Sequence, residues 1–224
     1  MLKLIIFDFG GVLINLNRQA AVDKLIALGV YDADELLNNY VQSGLFLDLE
    51  SGAVTPDEFR SALRTKYQLS GITDEQIDEA FLAFLLDVPD EKLQLLRKLK
   101  TSARNEADEP VRIVMLSNTN AIHFPYCIKK HFEREGHKMT DYFDALYLSY
   151  EMRASKPDEE IFLKLLEAEK VQPEECFFLD DGPRNIQTAS HLGFQTHLVQ
   201  SSDNLAQILI AKNIKFWYKQ YNGR

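Results

Sequence analysis

Two apolar runs, far apart in the chain, each stop on an aspartate, and this pattern restricts the fold more than any other feature of the sequence. In the first, Leu2, Leu4, Ile5, Ile6 and Phe7 lead into Asp8, then Phe9-Gly10-Gly11, before apolar character returns at Val12. The second runs Phe177-Phe178-Leu179 into Asp180-Asp181. Each reads as a buried strand ending in a carboxylate and a turn. In open α/β sheets, ligands bind just beyond the carboxyl ends of the strands. Asp8 is therefore expected where chemistry happens. Two such strands can aim three carboxylates at one point, an arrangement that a bound cation makes tolerable.

The pattern between these runs sets the organisation. Ala20, Ala21, Leu25, Ile26 and Leu28 recur at helical spacing until Gly29. Asp34 to Val41 and Ser43 to Leu49 read as short helices. Thr55, with Pro56 and Glu58, carries a capping-box pattern, and Thr73 with Gln76 repeats it, opening a helix expected to run to Leu86. From Pro89 the pattern changes. An amphipathic helix over Glu91–Leu99 and a polar loop over Arg104–Pro110 precede a strand over Val111–Leu116 and a helix. Further strands are expected over Phe143–Leu148, Cys176–Leu179 and Gln195–Val199. Helices are expected over Pro157–Lys170, Asn185–Leu192 and Leu205–Ile210. Alternation of strand and helix implies a parallel sheet with right-handed crossovers. The fold class is thus α/β, a doubly wound parallel sheet with an inserted all-α cap. Residues 1–15 and 87–224 form the expected core domain and residues 16–86 the helical cap domain.

The chain has 224 residues, enough for a core with an appended smaller unit, and its net charge of −9 argues against nucleic acid or an anionic membrane as the main partner. Cys127 and Cys176 lack metal-ligand spacing and read as packing residues in a reducing compartment. The N-terminal apolar run breaks too early for a signal peptide or membrane span. A cytoplasmic protein is expected. The aromatic, basic tail Phe216-Trp217-Tyr218-Lys219-Gln220-Tyr221 reads as a docking segment or oligomer contact, and the oligomeric state is left open.

Four places share polar residues at or just after the carboxyl end of an expected strand: Asp8, Ser117-Asn118, Lys156 and Asp180-Asp181. Taken singly, each has a plainer explanation. Asp8 reads as a turn or helix cap, Ser117-Asn118-Thr119-Asn120 as capping before Ala121, Lys156 as a solvated loop lysine, and Asp180-Asp181 before Gly182-Pro183 as a turn. Taken together, at strand ends, they point to phosphoryl transfer. A carboxylate can attack phosphorus and form an acyl phosphate. A hard cation such as Mg2+ offsets repulsion between nucleophile and phosphate. A hydroxyl, backbone N–H groups and a lysine can hold the phosphate oxygens.

These residues carry a resemblance to a known family. Ile5-Ile6-Phe7-Asp8-Phe9-Gly10-Gly11-Val12-Leu13, Val114-Met115-Leu116-Ser117-Asn118-Thr119-Asn120, Lys156-Pro157 and Phe178-Leu179-Asp180-Asp181 resemble the four motifs of the haloacid dehalogenase-like (HAD) hydrolase superfamily. The likeness spans essentially the whole chain, and the inserted helices look like a C1 cap on a Rossmann-like core. The resemblance implies Asp8 as nucleophile. It implies Mg2+ on the Asp8 carboxylate, the Gly10 carbonyl and Asp181, with Asp180 beside the metal directly or through water. It implies Ser117, Asn118 and Lys156 as phosphate ligands, Asn185 as support for the acidic pair, and a small phosphorylated metabolite as substrate.

One departure matters. Most phosphatases of the superfamily carry a second Asp two residues after the nucleophile, as general acid and base, and here that position is Gly10. The leaving oxygen must then be protonated by water, by the substrate or by a cap residue, or its departure helped by the metal alone; a missing general acid costs on the order of 10² to 10⁴ in rate, so slow turnover is expected. Two branches lack that Asp. The metal-independent 2-haloacid dehalogenases are not expected to carry a paired Asp at the fourth motif. The pattern is closer to α-D-glucose-1-phosphate phosphatases, which share Ser-Asn-Thr-Asn followed by His, here His123. Arg153 stands where that branch leads one to expect a glycine. A non-enzymatic phosphate-binding regulator is a further alternative. His123 reads chiefly as satisfying a local hydrogen bond, with proton transfer as the lesser reading, and Asn17 and Arg18 are lesser candidates for substrate contact.

Overall fold

The computed structural model describes residues 1–38 and 42–216. Strand β1 (Leu4–Phe7) is followed by helices α1 (Arg18–Leu28), α2 (Ala33–Leu36), α3 (Gly44–Glu50), α4 (Pro56–Tyr67) and α5 (Asp74–Leu82). Then come α6 (Asp90–Ser102), β2 (Arg112–Ser117), α7 (His123–Cys127), β3 (Ala145–Leu148), α8 (Ser149–Met152) and α9 (Glu159–Glu169). The chain continues through β4 (Cys176–Asp180), α10 (Pro183–His191), β5 (Gln195–Leu198) and α11 (Leu205–Ala211). The five strands form one parallel sheet in the order β3-β2-β1-β4-β5.

Residue alternation along the central strands explains why both faces are covered. Ile5 and Phe7 stand in register with Ile113 and Met115 on one side and with Phe177 and Leu179 on the other. All six face a large core shared with α6, α7, α11 and the inserted helices. Leu4, Ile6, Val114, Leu116 and Phe178 face the opposite layer, built on Ile161, Phe162 and Leu165 of α9 and Ala189 of α10. Side chains with a period of two must alternate between faces, and both sets here are apolar. The result is a doubly wound sheet with the order reversing beside β1, where such sheets bind ligands.

The inserted helices form where the sequence caps them. Thr55 and Thr73 both make complete capping boxes with Glu58 and Gln76. Gly29 ends α1 in the left-handed region at φ 110°, where a side chain would be strained. The bidentate pairing of Arg60 with Asp78, at 2.8 and 2.7 Å, ties α4 to α5. The chain enters and leaves this block along two adjacent segments: Asn15 and Asn17 N–H groups donate to Asp87 and Phe84 carbonyls, and Leu86 N–H donates to the Asn15 carbonyl.

Several boundaries differ from the expectation. Helix α5 ends at Leu82 instead of running to Leu86, because Phe84–Asp87 spends its backbone groups on Asn15–Asn17. Helix α2 stops at Leu36, and part of the helix expected up to Val41 lies outside the described residues. Of the aromatic tail, Phe216 packs on the core and the rest lies outside the described residues. Both cysteines are buried free thiols. Among the described residues no helix is long and apolar enough to cross a membrane.

Candidate active site

The sheet register brings Asp8, Ser117 and Asp180-Asp181 to one edge, because β1, β2 and β4 are parallel and in step. Asp8 is pinned at the backbone, where its N–H donates to the Leu179 carbonyl at 2.9 Å. Its Oδ1 accepts the Phe9 N–H at 2.7 Å and the Lys156 ammonium at 2.8 Å. The Lys156 Nζ also reaches Asp180 Oδ2 at 2.6 Å, and its side chain is 1% exposed. Taken singly in the sequence, Lys156 reads as a solvated loop lysine; the fold buries it between two carboxylates. Asp180 is almost fully committed to protein partners. Its Oδ1 accepts the Gly182 N–H at 2.7 Å and Asn185 Nδ2 at 2.9 Å, while Oδ2 takes the lysine. Asn185 is thus a direct hydrogen-bond partner of Asp180.

Asp8, Asp180 and Asp181 each offer an oxygen within 4.8 Å of the others. Burial raises the Asp8 carboxyl above the usual range, Asp180 and Asp181 add to the rise, and Lys156 opposes it. Burial, then Asp180, push Asp181 up to about 6. A divalent cation on these oxygens would reverse both shifts, so the donor set fits a hard metal. Gly11 completes the cradle. It has φ 69°, and a Cβ there would lie 2.1 Å from Asp181 Oδ2. The Asp181 carboxylate thus occupies the space that any larger residue would fill.

The Asn118 side chain bonds to the backbone of Lys156. Its Oδ1 accepts the Lys156 N–H and its Nδ2 donates to the Lys156 carbonyl, both at 2.8 Å. The side chain clasps the loop that carries the lysine. Ser117 is buried, with Oγ 3.3 Å from the Asn118 carbonyl, and it lines the cavity with Asn118. Asn118→Ala removes both clasping bonds. We expect it to lower unfolding stability by about 1–3 kcal/mol in chemical denaturation; an unchanged midpoint would show that the loop holds itself.

His123 has the plainer of its two expected roles. Its Nε2 lies 3.2 Å from the Phe81 carbonyl, its ring centroid is 3.9 Å from that of Phe81, and burial pushes its pKa down to about 4. Asn17 caps α1 through Oδ1, and Arg18 donates to the Leu37 carbonyl at 2.6 Å while pairing with Asp34. Both belong to packing among the helices, outside the cavity lining. Arg153 ends α8 at φ 54°, a left-handed position where glycine would be at ease, and its guanidinium donates to the Gly52 carbonyl.

One cavity residue escapes the sequence reading. Glu50, the last residue of α3, is 6% exposed and lines the cavity with Asp8, Gly10, Lys156 and Asp181. Its signal was present: Phe46 and Leu49 mark the buried face of α3, and Glu50 lies four residues after Phe46 on that same face. The remaining wall is largely apolar, with Leu16, Leu37, Phe81, Phe84 and Leu85.

A parallel sheet with an acidic cluster gathered about a buried lysine at its carboxyl edge places the site at the switch point of a Rossmann-like α/β fold. The family is explicit: the chain belongs to the haloacid dehalogenase-like hydrolases, whose family model matches residues 2–193. A D-ribitol-5-phosphate phosphatase of Bacteroides thetaiotaomicron is 39% identical over 198 residues, 88% of this chain and 91% of the relative. A HAD family enzyme of the same organism, solved with magnesium and inorganic phosphate, superposes with a TM-score of 0.82 at 36% identity, covering 93% of this chain and 99% of that one. An L-2-haloacid dehalogenase of Xanthobacter autotrophicus shares the fold alone, with a TM-score of 0.55 at 20% identity over 94% of this chain and 83% of its own.

Proposed function

We propose that this hydrolase is a Mg2+-dependent phosphatase of a small phosphorylated metabolite, of the sugar or sugar-alcohol phosphate class, working through an aspartyl phosphate on Asp8. The observation that carries it is the buried convergence of Asp8, Asp180 and Asp181 on Lys156 at the crossover of the sheet. Three carboxylates against one ammonium leave a surplus of negative charge that a divalent cation offsets. A metal-free dehalogenase has no use for that surplus. The similarity to a phosphatase of a sugar-alcohol phosphate and to an enzyme holding magnesium and phosphate supports the same reading.

In this reading Asp8 Oδ2 attacks phosphorus, because Oδ1 is occupied by Phe9 N–H and Lys156. Asp8, Asp181 and the Gly10 carbonyl would hold Mg2+, which supplies charge neutralisation between the incoming phosphate and the nucleophile. Asp180 acts through its partners: it fixes Lys156 on one side and takes orientation from Gly182 and Asn185 on the other. Lys156 and the Ser117 hydroxyl bind phosphate oxygens, and the Asn118 side chain keeps Lys156 in place. Residues 16–86 serve as the cap over residues 1–15 and 87–224, and their apolar wall excludes water from the reacting phosphate.

A screen of phosphorylated metabolites, run with Mg2+ and with excess EDTA, tests this. Phosphate release is expected from polyol or sugar phosphates, with loss under EDTA and recovery on adding Mg2+. Release that persists in EDTA, or halide release from 2-chloropropionate without divalent ions, would overturn the reading.

A further inference from the structure

The phosphatase reading leaves a proton unaccounted for. An alkoxide is a poor leaving group, and Gly10 has no side chain with which to protonate it. Among the described residues lining the cavity, the titratable side chains are Asp8, Glu50, His123, Lys156 and Asp181. Asp8 is taken as nucleophile, and Asp181 packs against Gly11 on the metal side of the cluster. The Lys156 ammonium bridges two carboxylates. His123 is neutral and held to the Phe81 carbonyl. Glu50 is left, and its Oε1 is buried with no hydrogen-bond partner.

We propose that Glu50, reaching the cavity from the inserted helices, is the general acid and base that replaces the side chain missing at position 10. The inference rests on the phosphatase reading and adds a catalytic residue to it. The geometry is firm because the core holds the backbone of this segment. Ser149 Oγ, on α8, lies 2.7 Å from the Glu50 carbonyl and 2.9 Å from the Thr119 carbonyl, and it accepts the Thr119 N–H at 2.9 Å. Two residues on, the Gly52 carbonyl accepts Arg153. A Cβ on Gly52 would lie 2.2 Å from the Tyr150 carbonyl oxygen, so the chain after α3 lies directly against the core. An unpaired buried carboxyl oxygen is costly, and the site recovers that cost if a substrate oxygen supplies the missing partner.

The protonation state agrees. Burial pushes the Glu50 carboxyl up to about 8, with Lys156 pulling it down and Asp8 pushing it further up. Asp181 faces the same cavity with the same sign as Asp8, and His123 adds no charge. Glu50 is therefore protonated near neutrality. In the first step Asp8 Oδ2 forms a bond to phosphorus and the bond from phosphorus to the leaving oxygen breaks. That oxygen keeps the bonding pair and takes the Glu50 proton, leaving an alcohol and a Glu50 carboxylate. In the second step water attacks the phosphorus of aspartyl phosphate and gives a proton to Glu50, and the bond to Asp8 breaks. Inorganic phosphate, the Asp8 carboxylate and the protonated Glu50 result. A donor from the inserted helices also removes the expectation of slow turnover drawn from Gly10.

The test compares Glu50→Gln with wild type on D-ribitol 5-phosphate, whose alkoxide needs a proton, and on p-nitrophenyl phosphate, whose phenolate leaves without one. On the alkyl ester kcat/KM is expected to fall on the order of 10² to 10⁴-fold, with a loss roughly tenfold or more smaller on the aryl ester. Wild-type kcat/KM on the alkyl ester should decline as pH rises through the Glu50 titration, since the acid form is the active one, and Glu50→Gln should lack that limb. Glu50→Asp, a shorter acid, should keep the limb and recover part of the rate. An equal loss on both esters, or none on either, or an unchanged high-pH limb in Glu50→Gln, would overturn the role of Glu50 while leaving the phosphatase reading intact. A wild-type enzyme that hydrolyses neither ester with Mg2+ would overturn both.

Discussion

Asp8→Asn is expected to abolish phosphate release while the protein stays folded. If Asp8 is the nucleophile, the amide removes covalent catalysis altogether, and losses on the order of 10⁴-fold or more accompany deletion of a nucleophile. The fold should tolerate the change for a specific reason. An Asn Oδ1 can still accept the Phe9 N–H and the Lys156 ammonium, which now meet Asp8 Oδ1 at 2.7 and 2.8 Å. The substitution also removes one of the converging negative charges, relieving the repulsion with Asp180 and Asp181 that adds to the effect of burial in raising the Asp8 carboxyl. Lys156 keeps Asp180 as counter-ion. Activity and stability should therefore separate. The check is a pair of measurements: steady-state phosphate release, and the denaturation midpoint of the same sample. Trapping of radiolabelled phosphate on wild type but not on the variant, after acid quench with labelled substrate, reports the intermediate itself. Wild-type rates in Asp8→Asn would sink the nucleophile assignment and leave the family membership untouched.

The elements that hold Asp8 were legible because their signals are local. Runs such as Leu4–Phe7 and Cys176–Leu179 are apolar throughout, as a strand covered on both faces requires. Position at the end of such a run then located Asp8 and Asp180-Asp181. The capping boxes at Thr55 and Thr73 are equally local, a hydroxyl and a carboxyl or amide three residues apart. What stayed hidden depends on partners distant in sequence. The length of α5 is decided by pairing with Asn15–Asn17, and the use of Asn118 by the loop at Lys156, 38 residues away. Glu50 is the instructive miss. Its helical face was readable, but that the face looks into the Asp8 cavity follows only from α3 packing against α8.

That packing also bears on how the site can move. The Glu50 carbonyl to Ser149 and the Gly52 carbonyl to Arg153 fasten the end of α3 to the core, in addition to the pairing of the entry and exit segments at Asn15–Asn17 and Phe84–Asp87. If residues 16–86 move as one block, opening has to release the Ser149 and Arg153 contacts, which would carry Glu50 out of the cavity. In that picture proton donation is available only with the block seated, and water is excluded in the same movement.

Lys156→Met is expected to have the largest effect on stability. The lysine is the one cation among the described charged residues lining the cavity, and its Nζ meets Asp8 and Asp180 at 2.8 and 2.6 Å. Burial works against its charge, but Asp180 and Asp8 outweigh burial and hold it above the ordinary lysine range. Methionine keeps most of the apolar stem, so the substitution isolates the loss of charge from the loss of volume. Removing one partner of a buried ion pair costs about 3–5 kcal/mol, a large share of the roughly 5–15 kcal/mol that holds a protein together. The sign with pH follows from the carboxyl left behind. Without Lys156, Asp8 titrates in the folded state still further above its unfolded value of about 3.9. Stability is then fully retained below that unfolded value and falls as pH rises toward the folded one. The deficit against wild type should be smaller in acid and widen as pH passes the folded wild-type Asp8 value of about 8, and Mg2+ should narrow it, because a ligand of the folded state stabilises that state. Chemical denaturation at two pH values, with and without Mg2+, measures all three effects. A deficit independent of pH and untouched by Mg2+ would mean that the lysine stem, and not its charge, supports the site.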